Sequence, residues 1–162
     1  MKFADFSAGQ RLLAGPYEVR RAELLSFARS FDPQWFHADP YAAERGPHKG
    51  LIASGWHTCA IAMRLVADAF LVHSESFASP GLAYVRWPHP VRAGDMLSLQ
   101  ANVLEARRSR TRPEMGLVRW RWQLFNNRGD EVLDLEATSL FKLGPLVADP
   151  AGQLLRDDLD EI

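Results

Sequence analysis

Asp32 and His37 stand five positions apart in the segment SFDPQWFHADP, residues 30–40, with Trp35 and Phe36 between them. A carboxylate and an imidazole that reach the same water can divide acid–base work, one taking a proton and the other assisting its return. Two large aromatics in a loop must pack against something or line a cavity, and an apolar wall pushes a neighbouring carboxyl pKa upward. Taken alone, the pair has a plainer explanation. Asp32 stops a helix through local hydrogen bonds, and His37 lies in the loop beyond it.

A second segment, GLIASGW at residues 50–56, puts Gly55 at the expected start of a long apolar helix, with Ser54 as its N-cap. Glycine there can simply serve close packing. It can also leave a helix N-terminal N–H, with the positive end of the helix dipole, aimed at a developing oxyanion. The two segments say more together than apart. An acid–imidazole pair gripping one water, beside an amide that polarises a carbonyl, is what adding water to a double bond conjugated with a thioester requires.

The elements that must position these groups follow from periodicity. Tyr17 to Arg20 reads as a short strand after an irregular start punctuated by Gly15-Pro16. Leu24, Phe27, Ala28 and Phe31 make an i, i+3, i+4, i+7 stripe, so Arg21 to Phe31 is expected to be a helix. It must stop near Asp32, because Pro33 disfavours helical dihedrals in the residue before it. Asp39 as N-cap, Pro40 at the first helical position and Gly46 at the end mark a second, short helix. From Gly55 to about Val72, apolar and small residues fall on nearly every face, with Arg64 and Asp68 the only charges, which implies a helix enclosed by the rest of the fold. The period then changes, and residues 82–87, 96–106, 116–126 and 131–143 read as four strands. The fold class expected is α+β: an antiparallel sheet wrapped around one long central helix, about 24 Å long for roughly 16 residues. Residues 1–143 make one domain and 144–162 a loosely held tail.

The stretch FARSFDPQWFHADPYAAERGPHKGLIASGWHT resembles the MaoC-like dehydratases, the hydratase-2 type (R)-specific enoyl-CoA hydratases of the hotdog superfamily. Their signature is an Asp, an Asn-Pro two and three positions on, and a His five positions after the Asp; a later Gly opens the long helix. Asp32, His37 and Gly55 hold those places, and the resemblance runs from about Gly9 to about Lys142, including the PVRAGD turn. It implies a hotdog fold and reversible hydration of a trans-2-enoyl-CoA to a (3R)-hydroxyacyl-CoA. Asp32 would be the base, His37 would assist proton transfer to the α carbon, and Gly55 N–H would hold the thioester oxygen. No metal or redox cofactor is implied, coenzyme A being part of the substrate, and the expected partner is a second copy, as a homodimer or dimer of dimers.

Gln34 and Trp35 replace the Asn-Pro of the signature, and the proline stands at Pro33 instead. Gln34 still donates and accepts hydrogen bonds, and the bulk of Trp35 is expected to narrow the pocket. With Phe36 and Ser54 they are the expected substrate-lining residues. Arg86, and Arg110 in the basic stretch EARRSRTRP, are candidates for the CoA phosphates, since guanidinium favours bidentate phosphate contacts. His57 reads as a packing or cap residue, and Trp120 and Trp122 as sheet packing.

Composition narrows the classes further. Nineteen basic against 20 acidic side chains in 162 residues give no pull toward nucleic acid or an anionic membrane. No apolar run is long enough to span a bilayer. A single cysteine, Cys59, and the lack of a leader in Met1 to Gly9 point to the cytoplasm. Two rivals stand beside the hydratase: a hotdog acyl-CoA thioesterase, for which Asp68 is the only carboxylate on the long helix, and a non-catalytic acyl-CoA-binding hotdog protein.

Overall fold

A computed structural model describes residues 1–144; the expected tail beyond that point lies outside the described residues. The elements run in the order β1 (Arg11–Glu18), α1 (Arg21–Phe31), α2 (Trp35–Ala38), α3 (Pro40–Arg45), α4 (Gly55–Val66), β2 (Ser76–Arg86), β3 (Met96–Arg108), β4 (Met115–Phe125) and β5 (Glu131–Lys142). All five strands belong to one antiparallel sheet of order β1-β3-β4-β5-β2. The sheet curls around α4, the hotdog arrangement expected from the sequence.

Alternation sets which face turns inward. On β4 every second residue is buried, and Val118, Trp120, Trp122 and Leu124 form the core side; Leu97, Leu99, Ala101 and Val103 do the same on β3. Trp120 is fully buried, packed edge-on against Phe6 and Trp122, with its indole N–H donating to Ser139 Oγ at 3.2 Å. From α4, Ile61, Ala62 and Val66 press into the same core. The outward face carries charge instead. Arg119 pairs with Glu136 and Arg121 with Asp134 across neighbouring strands.

Three elements differ from their sequence-based expectation, each for a physical reason. β1 is longer than Tyr17 to Arg20 and passes straight through Gly15-Pro16. The register shifts between Ala14 and Tyr17, and Gly15 has φ 108°, so a bulge accommodates both residues without ending the strand. A side chain at Gly15 would collide with the Leu97 carbonyl, since an added Cβ would lie 2.8 Å from it. β2 begins at Ser76 rather than at 82, reaching back through Pro80 and Gly81. It is an edge strand, with register shifts around those residues, and an edge tolerates a residue that cannot donate. The long helix is α-helical only to Val66, and a π-helical turn, Ala67–Leu71, completes the expected length.

The enclosure of that helix is incomplete in the single chain. His57, Thr58, Ile61, Ala62 and Val66 are buried, whereas Trp56, Ala60, Met63 and Arg64 stand exposed on one side. Apolar and small residues on nearly every face imply a helix enclosed by the fold. Within one chain the sheet covers only part of it.

Candidate functional site

Asp32 caps the C-terminus of α1. Its N–H donates to the Ala28 carbonyl at 2.9 Å, and its φ of −148° and ψ of 69° leave the helix as Pro33 requires. Gln34 then caps α2, a single turn that carries His37 back toward Asp32; this turn was not anticipated, since Pro33 and the aromatics read as loop. Two amides, His37 N–H and Ala38 N–H, donate to the Gln34 carbonyl at 2.9 Å. Asp39 caps α3 by accepting from Tyr41 and Ala42 N–H, with Pro40 at the first position as expected.

Around Asp32 the contacts are specific. Ser54 Oγ–H donates to Asp32 Oδ2 at 2.6 Å, and Gln34 Nε2–H donates to Oδ1 at 2.8 Å. His37 Nε2 lies 3.5 Å from Oδ2, with the imidazole 7 % and the carboxylate 15 % exposed. The other ring nitrogen settles the tautomer: His37 Nδ1–H donates to the Ile52 carbonyl at 2.8 Å, because a carbonyl can only accept. In the neutral ring this leaves an Nε2 lone pair turned toward the Asp32 carboxylate. Two acceptors face one another across a gap that calls for a shared hydrogen.

The Ser54 hydroxyl beside Asp32, and after it the Gln34 amide, hold the carboxyl below its ordinary range, against a smaller opposing effect of burial. This reverses the direction expected from an aromatic wall. The Trp35 indole lies across Gly46, where an added Cβ would come within 2.6 Å, and it is 47 % exposed. Phe36 stays nearer, edge-on to the His37 ring at 4.3 Å between centroids.

Ser54 performs two tasks at once, donating to Asp32 while its oxygen accepts from Trp56 N–H at 3.2 Å as the N-cap of α4. Gly55 follows, and its N–H makes no hydrogen bond among the described residues. The Trp87 indole lies over the Gly55 Cα, so an added Cβ would sit 2.6 Å from the ring. Only glycine fits there with the tryptophan in place.

The structure thus brings Asp32, Gln34, Phe36, His37, Ser54 and Gly55 into one region and leaves the two arginines outside it. Arg86 stacks over Tyr84 at 5.0 Å on the outward face of the sheet, beside Asp134. Arg110 lies in the β3–β4 hairpin. Arg108 opposes Gly116, Gly116 opposes Phe141 and Phe141 opposes Ser76, so that hairpin marks the far end of β2 from Arg86 and Trp87. Roughly 30 Å of strand separates Arg110 from the Gly55 end within one chain. Sequence reasoning gave Ser54 a capping and lining role; its grip on Asp32 depends on a contact between residues 22 apart, which no local pattern carries. No three His, Cys, Asp or Glu side chains gather closely enough to hold a metal among the described residues.

The MaoC like domain model matches residues 5–119. The chain belongs to that family of hotdog proteins. Among solved structures it is similar to a MaoC-like dehydratase from Rhodospirillum rubrum, at 36 % identity and a TM-score of 0.80, covering 88 % of this chain and 97 % of that one. It also shares the fold of the R-hydratase PhaJ1 from Pseudomonas aeruginosa, at 24 % identity and a TM-score of 0.68, covering 90 % and 92 % of the two chains. A relative of unassigned function, YdeM from Bacillus subtilis, is 28 % identical over 88 % of this chain and 99 % of its own.

The hydrogen bonds to Asp32 give a direct expectation for pH dependence. They favour the carboxylate, so Ser54→Ala should raise the Asp32 pKa and move the acid limb of kcat/KM to higher pH, with Gln34→Ala moving it the same way by less. A pH–rate profile checks this, and an acid limb unmoved by both substitutions would detach it from Asp32.

Proposed function

We propose that this protein is a hydro-lyase that reversibly hydrates a trans-2-enoyl-CoA thioester to a (3R)-hydroxyacyl-CoA. The observation that carries the reading is the gap between Asp32 Oδ2 and His37 Nε2, clamped by Ser54 at the start of α4 beside the free Gly55 N–H. Likeness to a MaoC-like dehydratase and to an R-hydratase supports the class of chemistry.

In this reading the substrate carbonyl accepts from Gly55 N–H, and the helix N-terminus lowers the energy of the enolate oxygen that forms. Water held against Asp32 and His37 gives a proton to the Asp32 carboxylate as its oxygen bonds to C3. The π electrons of the double bond move toward the carbonyl, and a proton returned from the dyad with the help of His37 then closes the sequence at C2. Hydroxyl ends on C3 and hydrogen on C2, so nothing is oxidised or reduced and no step calls for a metal or redox cofactor. The hydrogen bonds to Asp32 keep it ionised at neutral pH, ready to accept. His37 keeps its orientation through Ile52, so Nε2 always meets the same place beside Asp32.

An acyl chain has a matching surface nearby. A cleft of about 450 Å3 lies between α4 and the β2–β5 side of the sheet, walled by Cys59, Met63, Leu82, Trp122 and Leu135. The uncovered side of α4 and the exposed edge strand β2, with Phe77 58 % and Leu82 45 % exposed, support a homodimer that buries both. A cytoplasmic setting suits the unpaired Cys59, and coenzyme A thioesters make fatty acid metabolism the natural context. The thioesterase alternative loses its carboxylate, because Asp68 is spent on Arg64 in an exposed pair at 2.5 Å.

Asp32→Asn and His37→Ala should each lower crotonyl-CoA hydration by roughly 10²–10⁴-fold with the fold retained, as loss of a general acid or base does. Wild-type rates in the double variant would sink the assignment. A thiol reagent should detect no free CoA during turnover, and stoichiometric thiol release would point to thioester cleavage instead. Light scattering of the purified protein should report the mass of two chains or four; a single-chain mass at micromolar concentration contradicts the dimer.

A further inference from the structure

Tyr17, Glu23 and His57 form a half-buried cluster that the chemistry above does not use. His57, in the first turn of α4, is 3 % exposed and stacks on Phe27 of α1, with ring centroids 4.7 Å apart and planes 13° from parallel. Its Nε2–H donates to Glu23 Oε1 at 3.3 Å, and the same oxygen accepts from Tyr17 O–H at 2.5 Å. Three elements meet at that oxygen: β1 through Tyr17, α1 through Glu23, and α4 through His57. Burial and the Glu23 hydrogen bond push the Tyr17 phenol up to about 12, so it remains a donor across any working pH. His57 Nδ1 is buried without a partner among the described residues, which leaves the Nε2 bond as the one polar tie of the ring among them.

Beside this cluster, whose Glu23 and His57 form part of the wall, α1 and α4 do not close on one another. A cleft of about 440 Å3 opens between Ser26, Ser30 and Phe31 on one side and Ala60 and Arg64 on the other. Two polar contacts therefore span the helices among the described residues: Asp32 with Ser54 at one end of α1, and Glu23 with His57 nine residues earlier. That separation is roughly 13 Å along the helix axis. A single contact acts as a hinge, whereas two at that distance fix an angle.

We propose that Glu23 and His57 are positioning residues, a brace that fixes the first turn of α4, and with it Gly55 N–H, against the Asp32 carboxylate. The catalytic consequence rests on the hydratase reading above. A displacement of about 1 Å between an amide and a reacting group can cost on the order of 10²-fold in rate, so a loosened brace lowers kcat without removing any group that touches substrate.

Kinetics and amide hydrogen exchange on the full chain test this together. In Glu23→Ala, kcat for crotonyl-CoA should fall roughly 10–100-fold while KM stays within about twofold. The amides of Trp56 and Thr58 should exchange faster, with wild-type protection kept across β3 and β4. Glu23→Gln retains an acceptor oxygen and should restore both the rate and the protection. Should Glu23→Ala fail to fold, His57→Phe keeps the ring stack, loses the hydrogen bond and carries the same expectations. Wild-type kcat, a loss confined to KM, or an equal loss in Glu23→Gln overturns the proposal. The exchange arm needs no substrate. A protein that hydrates no enoyl thioester, yet loosens at Trp56 and Thr58 in Glu23→Ala, refutes the hydratase reading and leaves the brace standing.

Discussion

One hydrogen bond ties the site together: Ser54 Oγ–H to Asp32 Oδ2, 2.6 Å long. A hydroxyl donating to an ionised carboxylate is a strong, short contact, and here it joins the C-cap of one helix to the N-cap of another. Because the same serine oxygen accepts from Trp56 N–H, the bond that holds the carboxylate also starts α4. Gly55 comes next in the chain, and His37 faces the very oxygen that Ser54 holds. The carboxylate and the start of α4 are thus joined by one side chain that does none of the chemistry itself.

The surrounding fold keeps that contact from drifting. Ala53 N–H donates to the Val91 carbonyl at 2.8 Å, pinning the approach to α4 on the segment before β3. Ile52 is held from both sides, its N–H on the Phe36 carbonyl and its own carbonyl on the His37 ring. Arg92 donates to the carbonyls of His48 and Leu51, tying down the loop between α3 and α4. Above Gly55, the Trp87 ring leaves no room for a side chain, and the Gly55 N–H makes no hydrogen bond among the described residues. Rigid placement of this kind is what makes a lone backbone N–H useful to a transition state.

Much of this was legible in the sequence because it is local. Pro33 after Asp32 stops α1 where the spacing says it should, and Asp39-Pro40 and Ser54-Gly55 start two helices at the residues their capping chemistry marks. The alternation of Val118, Trp120, Trp122 and Leu124 fixes the inward face of β4. What escaped depends on contacts between distant segments. Trp35 reads as a pocket wall until Gly46 is found beneath it, and the Asp32 carboxyl reads as raised until two donors arrive from Gln34 and Ser54. Gly15-Pro16 reads as a break because a bulge needs its partner strand to be recognised, and the order of strands is a property of the sheet alone. Arg110 reads as a candidate for the CoA phosphates from its basic loop, and the ladder places that loop at the other end of β2 from Trp87.

The most direct measurement is a crystal structure of the Asp32→Asn variant with a bound trans-2-enoyl thioester, since that substitution keeps the shape of the site and stops the reaction. The thioester oxygen is expected within hydrogen-bonding distance of Gly55 N–H, with C3 of the acyl group facing the gap between residue 32 and His37 Nε2. An acyl group seated elsewhere, or a carbonyl pointing away from Gly55 with C3 out of reach of both side chains, would contradict the assignment of this site to hydration.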